Sequence, residues 1–332
     1  MTMGSVKIEM SRRAALGALA LGGGMAATGM SPLGGLRSAQ AAEGAAEAGG
    51  VALPFARYQV GSFEVLTLLD GAAVFEEPQK TFAMNVPAEE FTEVTTANFL
   101  PLDKFKNFFT PTVINTGSEV ILFDTGNGEA ARPGRGNLVL ALEAAGYSAG
   151  DVTTVVLTHM HGDHVNGLSG EGGLTFPNAR YVTGAKEFDA WSAQDPEQNG
   201  GAKPFATKVK PLADKITFLE DGGSVVSGIT AIAAFGHTPG HMVYMVESDG
   251  QQLLLAADTA NHYVWSLGYP DWEVRFDMDK AAAAATRRKV LDMLATDRIP
   301  FIGYHMPFPA VGFVEARDSG FRYVPETYQL DL

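Results

Sequence analysis

Thr158-His159-Met160-His161-Gly162-Asp163-His164 follows directly on the apolar run Val152–Leu157. A strand that ends in three imidazoles and a carboxylate displays several metal donors at one sheet edge. The chain has seven histidines, and the other four fall at His237, His241, His262 and His305. Gly236-His237-Thr238-Pro239-Gly240-His241 follows the run Ile229–Phe235, Asp258 follows Leu253–Ala257, and His305 follows Pro300–Tyr304. Each of these donors stands just past an apolar run, so together they can ring a single edge. His159 and His161 alternate and can share one ion, while Asp163 and His164 continue the turn and can reach a second. Gly162 permits the tight backbone between them. Asp258 is the natural carboxylate to bridge two ions.

Composition narrows the function. At 332 residues and 46% apolar content, the chain is long enough for one large domain with a substantial core. Its net charge is −14, which repels polyanions and argues against nucleic acid or an anionic membrane as partner. It has no cysteine, so disulfides, thiolate ligands and cysteine nucleophiles are excluded together. There is no Gly-x-Ser-x-Gly elbow, which leaves a serine-hydrolase reading without support.

The N-terminus reads as a targeting segment. Ser11-Arg12-Arg13-Ala14-Ala15-Leu16 precedes a weakly hydrophobic, Gly-rich run to Met30 and the small-x-small site Ala39-Gln40-Ala41. This predicts a twin-arginine signal over 1–41, a flexible linker over 42–50, and one domain over 51–332 that is periplasmic or secreted and has no membrane anchor. Loss of the leader removes Lys7, Arg12, Arg13, Arg37 and Glu9 and makes the rest of the chain more acidic.

Along the domain, Tyr58–Asp70 reads as one strand, and 72–109 as irregular apart from a short helix over Pro87–Phe99. Thr112–Phe123 reads as a hairpin, Asn137–Ala145 as a helix ending at Gly146, and Lys186–Gln194 as a helix carrying Trp191. Strands follow at 181–183, 216–219, 229–235, 242–247 and 252–257. The helix Lys280–Leu294, with Asp277 and Asp279 near its start, is followed by a last hairpin over Gly312–Val324. Strands in both halves with helices between them predict an α/β fold, two sheets packed face to face and covered by helices.

Taken in order, H-x-H-x-D-H, G-H-T-P-G-H, Ala257-Asp258-Thr259 and Gly303-Tyr304-His305 resemble the metallo-β-lactamase-fold hydrolases. The intervals separating His159, His237, Asp258 and His305 are most similar to those of the methyl-parathion-hydrolase-like dinuclear zinc enzymes. So are the segments Phe276-Asp277-Met278-Asp279 and His305-Met306-Pro307-Phe308-Pro309. The resemblance implies an αββα sandwich of two mixed sheets with the site on one edge, two Zn²⁺ ions and a homodimer. It assigns His159, His161 and His237 to one ion, Asp163, His164 and His305 to the other, and Asp258 to both. His241 and Asp124 would stand behind the ligands, Asp124 orienting a ligand or the turn. Trp191 would line the substrate pocket, as would Asn261 and His262. Asn261 stands where homoserine-lactone-cleaving relatives often place a tyrosine. The Phe-rich segment 82–109 could supply a lid or further pocket walls, or be plain packing.

These readings predict a hydrolase in which a water shared by two ions is deprotonated near neutral pH and attacks a carbonyl carbon or phosphorus. Asp163 or Asp258 would relay a proton to the leaving group. An apolar, aromatic pocket suits neutral esters, lactones or phosphotriesters. Two other readings remain: an iron-dependent sulfur (persulfide) dioxygenase, which uses a reduced version of the same ligand set, and a non-catalytic periplasmic zinc-binding protein. A mononuclear dioxygenase site would not need His164 and His305.

Overall fold

Val155 and Leu157 face one core while Val156 between them faces another, and the neighbouring strands divide their side chains in the same way. Ile121 and Phe123 join Val156, and Leu122 joins Val155. Val65 and Ile114 take the first side, Leu66 and Val113 the second. This is why the central strands read as continuous apolar runs: both faces of their sheet are buried. Each fully buried Val, Leu or Ile there contributes about 1.5–3 kcal/mol of transfer free energy.

A computed structural model describes residues 54–317 and 319–327. The expected leader 1–41 and linker 42–50 lie outside the described residues. The first half comprises β1 (Phe55–Val60), β2 (Phe63–Leu68), β3 (Gly71–Glu76), α1 (Ala88–Ala97), β4 (Lys104–Phe109), β5 (Thr112–Asn115), β6 (Val120–Phe123), α2 (Leu138–Ala144) and β7 (Thr154–Leu157). Next come α3 (Gly162–Val165), β8 (Ser169–Gly170), β9 (Gly173–Leu174), β10 (Arg180–Gly184), α4 (Ala185–Ser192) and β11 (Ile216–Leu219). The second half comprises β12 (Ser224–Val226), β13 (Ile229–Ala233), β14 (Met242–Ser248), β15 (Gln251–Ala257), α5 (Lys280–Asp297), β16 (Phe301–Gly303), β17 (Val311–Arg317) and β18 (Gly320–Pro325).

Two seven-stranded mixed sheets result, β1-β2-β5-β6-β7-β10-β11 and β12-β13-β14-β15-β16-β17-β18. Strands β6, β7, β10 and β11 run parallel to one another, as do β15 and β16, and the remaining pairs are antiparallel. Val156 and Phe123 of the first sheet meet Tyr244 and Val246 of the second in the shared core. Leu138 and Leu142 of α2 and Trp191 of α4 cover the outer face of the first sheet. Val290, Leu291 and Leu294 of α5 pack on the second. The expected α/β sandwich of two mixed sheets flanked by helices is what the chain forms. Among the described residues no helix is long and apolar enough to cross a membrane.

Two expectations are corrected. Tyr58–Asp70 is a hairpin, because the chain reverses at Gly61, whose φ of 57° is cheap only for glycine. The apolar alternation runs straight through that turn and conceals it. The stretch 72–109 is not irregular at its ends, where β3 and β4 pair antiparallel and Phe75 stacks on Phe105 at 5.2 Å. The partners lie about thirty residues apart in sequence, so no local turn signal announces them. Between them Phe82 and Phe91 join Phe105 in a third apolar cluster with Trp265, Trp272 and Val274. These rings are packed core and not a lid, whereas Phe99 is 97% exposed.

Candidate metal centre

Five strand ends deliver the polar groups. β6 ends at Asp124, β7 at the loop Thr158–His161, β13 at the loop to His241, β15 at Asp258 and β16 at His305. Asp124 holds the first loop in place by accepting from the Thr158 N–H and hydroxyl, both at 2.8 Å. The loop carrying His237 is pressed against the start of α5 at Gly236, where φ is 127° and a Cβ would sit 2.2 Å from the Ala283 nitrogen. Gly240 meets α4 equally closely, since a Cβ there would lie 2.1 Å from the Glu187 nitrogen. No side chain fits at either position.

The donor atoms fall into two adjacent groups. His159, His161, His237 and Asp258 form one, and Asp163, His164 and His305 the other; within each, the donor atoms lie within 4.8 Å of one another. His161 Nδ1 faces His159 Nε2 at 3.1 Å and His237 Nε2 at 3.0 Å. Asp258 touches both groups: Oδ1 lies 3.3 Å from His164 Nε2, and Oδ2 lies 3.3 Å from His237 Nε2 and 3.1 Å from His305 Nε2. Asp163 Oδ2 is 3.7 Å from His164 Nε2 and 3.5 Å from His305 Nε2.

The hydrogen-bond partners behind the rings decide what the inward nitrogens are. His237 Nδ1 faces the Asp277 carboxylate at 2.9 Å, His164 Nδ1 the Asp124 carboxylate at 2.8 Å, and His305 Nδ1 the Phe108 carbonyl at 2.7 Å. The two carboxylates only accept, and at His305 the Phe108 carbonyl is closer than the Asn107 amide at 3.0 Å, so Nδ1 carries the proton and, in the neutral ring, Nε2 presents a lone pair. His159 obeys the same logic. The Thr158 hydroxyl spends its hydrogen on Asp124, so His159 Nδ1 donates to Thr158 Oγ1 at 3.1 Å. With the rings neutral, as a bound cation requires, inward lone pairs converge with no hydrogen between them. His164 Nε2 and Asp258 Oδ1 are fully buried and lack any hydrogen-bond partner among the described residues. A divalent cation in each group resolves both conditions, and an imidazole and carboxylate donor set suits zinc.

In the absence of cations the site is electrostatically divided. Burial drives His159 far down and, with the neighbouring His237, His161 to about 3. Burial also opposes charge on His164, His237 and His305, but the surrounding carboxylates win. Asp258 and Asp277 raise His237 to about 9, and Asp258, Asp124 and Asp163 hold His164 well above the ordinary range. Asp258 is held well below its usual value, because the charges of His305 and His164 outweigh its burial.

The residues expected behind the ligands are placed as follows. His241 spends Nδ1 on the Ala234 carbonyl at 3.0 Å, and its Nε2 accepts from the Asp258 N–H at 3.1 Å, so it has no nitrogen left for an ion. Trp191 packs within the core outside the first sheet. It is 3% exposed in the core, donates its indole N–H to Glu187 at 2.7 Å and turns toward His161. Asn261 is fully buried, and its amide donates to Asp258 Oδ2 at 3.0 Å, so it braces that carboxylate instead of facing a substrate. His262 does line a cavity, one of ≈ 430 Å³ shared with His305, Phe105, Phe108 and Trp265.

One buried acid was not singled out from the sequence, and a second has a different role from the one expected. Glu187, fully buried, accepts four hydrogen bonds: from Met160 N and Trp191 Nε1 on one oxygen, and from Thr238 Oγ1 and Gly240 N on the other. It ties the two histidine loops to α4. Its only trace in the sequence is an acid one turn before Trp191 on an otherwise apolar helix face. Asp277, read as a favourable charge at a helix start, instead joins His237 to the buried Arg287, whose guanidinium donates to it at 2.7 Å. Asp279 makes the helix cap, accepting from Ala282 N.

Comparison with known proteins agrees with this arrangement. YobT of Bacillus subtilis (strain 168), itself uncharacterized, is 27% identical over 172 residues, 48% of this chain and 68% of that protein. The solved structure of AidC, a dizinc quorum-quenching lactonase in complex with a product, is 28% identical with a TM-score of 0.75, covering 82% of this chain and 98% of that one. The hydrolase AbOPH, of the beta-lactamase superfamily, has the same fold at 24% identity and a TM-score of 0.76, covering 84% and 99% of the two chains. Residues 110–300, which span the strands and loops carrying every donor except His305, match the family model for these proteins. The chain belongs to the metallo-beta-lactamase superfamily.

Proposed function

We propose that this chain is a dinuclear zinc hydrolase that cleaves neutral lactones or esters bearing an apolar tail, with organophosphate triesters as further substrates. Within the superfamily we place it among the methyl-parathion-hydrolase-like enzymes, on the intervals between its donors. The observation that carries the reading is Asp258, whose two oxygens reach His164 of one donor group and His237 of the other at 3.3 Å each. A mononuclear dioxygenase has no use for this second group, nor a storage site for an adjoining cavity of ≈ 430 Å³. The twin-arginine motif supports a workplace outside the cytoplasm.

A pair of bound divalent cations supplies an activated water and polarises the oxygen that gains charge. The chain's own residues do the rest. His159, His161 and His237 would hold one cation, Asp163, His164 and His305 the other, and Asp258 both. Asp124, Asp277 and the Phe108 carbonyl hold the rings in the tautomer that ligates. Asp163, with 26% of its side chain exposed against 4% for Asp258, is the acid placed to pass a proton to a departing oxygen. Phe105, Phe108 and Trp265 provide an apolar wall that takes the tail and excludes water.

The test is kcat/KM of zinc-loaded protein on an N-acyl lactone, an aryl ester and a dialkyl aryl phosphotriester, with and without chelator, alongside metal analysis. Chelator-sensitive turnover with two metals per chain is expected. One iron per chain, or bound zinc with no turnover on any of the three, would overturn the reading.

A further inference from the structure

The cavity beside His305 contains one polar group whose hydrogen-bonding role the fold has already chosen. His262 Nδ1 lies 3.1 Å from Val264 N and 3.2 Å from Trp265 N, and both are backbone donors. Nδ1 must therefore be the acceptor, and the proton of the neutral ring sits on Nε2. The ring cannot turn to exchange these roles. It is stacked on Trp265 at 4.1 Å and 15° and on Tyr263 at 4.7 Å and 26°, with Phe82 against it at 5.5 Å. Burial holds the imidazole neutral, down to about 3, so the tautomer persists across the physiological range. Nε2 has no hydrogen-bond partner among the described residues, and the ring is part of the cavity wall.

We propose that His262 is a substrate-positioning residue whose Nε2–H donates to a neutral carbonyl on the tail of the substrate, a short distance from the bond that is cleaved. This rests on the hydrolase reading and deepens it, because it narrows the substrate to acyl-substituted lactones or esters over plain alkyl ones. The chemistry of the wall supports the choice. A fixed donor rejects an ammonium, as do Lys104 and Lys106, which also line the cavity, while Leu100, Phe105, Phe108 and Trp265 give it a mainly apolar wall that takes an uncharged chain. His305 lines the same cavity, so a molecule that fills it reaches one of the donor groups.

The experiment separates binding from turnover in the full-length, zinc-loaded chain. Calorimetry with two uncleavable γ-lactams of equal length, one with an α-acylamino chain and one with an α-alkyl chain, reads the donor directly. Turnover of the two matching lactones reads the reaction. Wild type should favour the acylamino member of each pair by roughly tenfold, the worth of one well-placed hydrogen bond. His262→Phe, which keeps the ring stack but removes both the Nε2 donor and the Nδ1 acceptor of the Val264 and Trp265 N–H groups, should abolish that preference, read as the ratio of the two members in the same variant. His262→Gln should restore part of it. The ¹⁵N shifts of His262 should also show Nε2 protonated and Nδ1 bare in wild type, a readout that needs no variant.

Lactam discrimination without lactone turnover would sink the hydrolase reading and leave the His262 assignment standing. Turnover with no discrimination, equal loss on both members in His262→Phe, or a proton on Nδ1 would overturn the assignment.

Discussion

The Asp277 carboxylate takes the Nδ1–H of His237 at 2.9 Å with one oxygen and the guanidinium of the buried Arg287 at 2.7 Å with the other. A residue in the approach to α5 thereby fixes the tautomer and tilt of a ring in the centre of the site. Asp277→Asn would keep the shape but set an amide N–H₂ against either the imidazole donor or the guanidinium. Zinc affinity, measured by competition with a chromophoric chelator, should fall about 10- to 100-fold. Unchanged affinity would show that Asp277 serves α5 alone.

Glu187 makes a second prediction. Its four partners are all donors, so Glu187→Gln would point an N–H₂ at two of them whichever way the amide is turned. The variant should lose about 2–3 kcal/mol in denaturant unfolding. It should also bind one of its two metals more weakly, because Met160 lies between His159 and His161, and Thr238 and Gly240 flank the loop of His237. Full stability and two undisturbed metals would remove Glu187 from the architecture of the site.

The pH dependence of the metal-free protein follows from the rings. His237 is raised from 6.5 to about 9, so the stability its charge contributes is complete below 6.5 and is lost as pH rises through 9. His161, His241 and His262, pushed down to about 3, act in the other direction and cost stability as pH falls from 6.5 toward 3. Thermal unfolding in chelator should therefore show a maximum near pH 6.5. Because a cation must displace the His237 proton, zinc affinity should rise between pH 6.5 and 9 with proton release, which calorimetry in buffers of different ionisation enthalpy will read. A flat unfolding profile would contradict the burial of these rings.

Trp191 and Phe108 separate packing from substrate contact. Trp191 belongs to the core outside the first sheet, and Phe108 lines the cavity. Trp191→Phe should leave KM for an apolar-tailed substrate within about twofold while lowering stability. Phe108→Ala should raise KM roughly tenfold, in line with the loss of about 1.5 kcal/mol of apolar contact. The reverse pattern would mean that the substrate lies on the α4 side.

Much of this was legible in the sequence because it is carried by local pattern. Short apolar runs marked β6, β7, β13, β15 and β16, and the polar residue just beyond each run pointed to the site. The hairpin at Gly61 escaped because the alternation is the same on both sides of the turn. The β3–β4 pair escaped because its partners are separated by α1 and a long loop. Asn261 and Trp191 were placed toward substrate by analogy of position. In the fold the first turns onto Asp258 and the second onto Glu187.

By itself the sequence determined where donors leave the strands, since a strand's period of two and the turn that ends it are properties of neighbouring residues. Only the tertiary structure decided which nitrogen of each ring faces inward. That choice belongs to acceptors remote in the chain: Asp124 for His164, Asp277 for His237 and the Phe108 carbonyl for His305. A tautomer is set by the group across the hydrogen bond, and the group across the hydrogen bond is set by how two sheets and their loops pack.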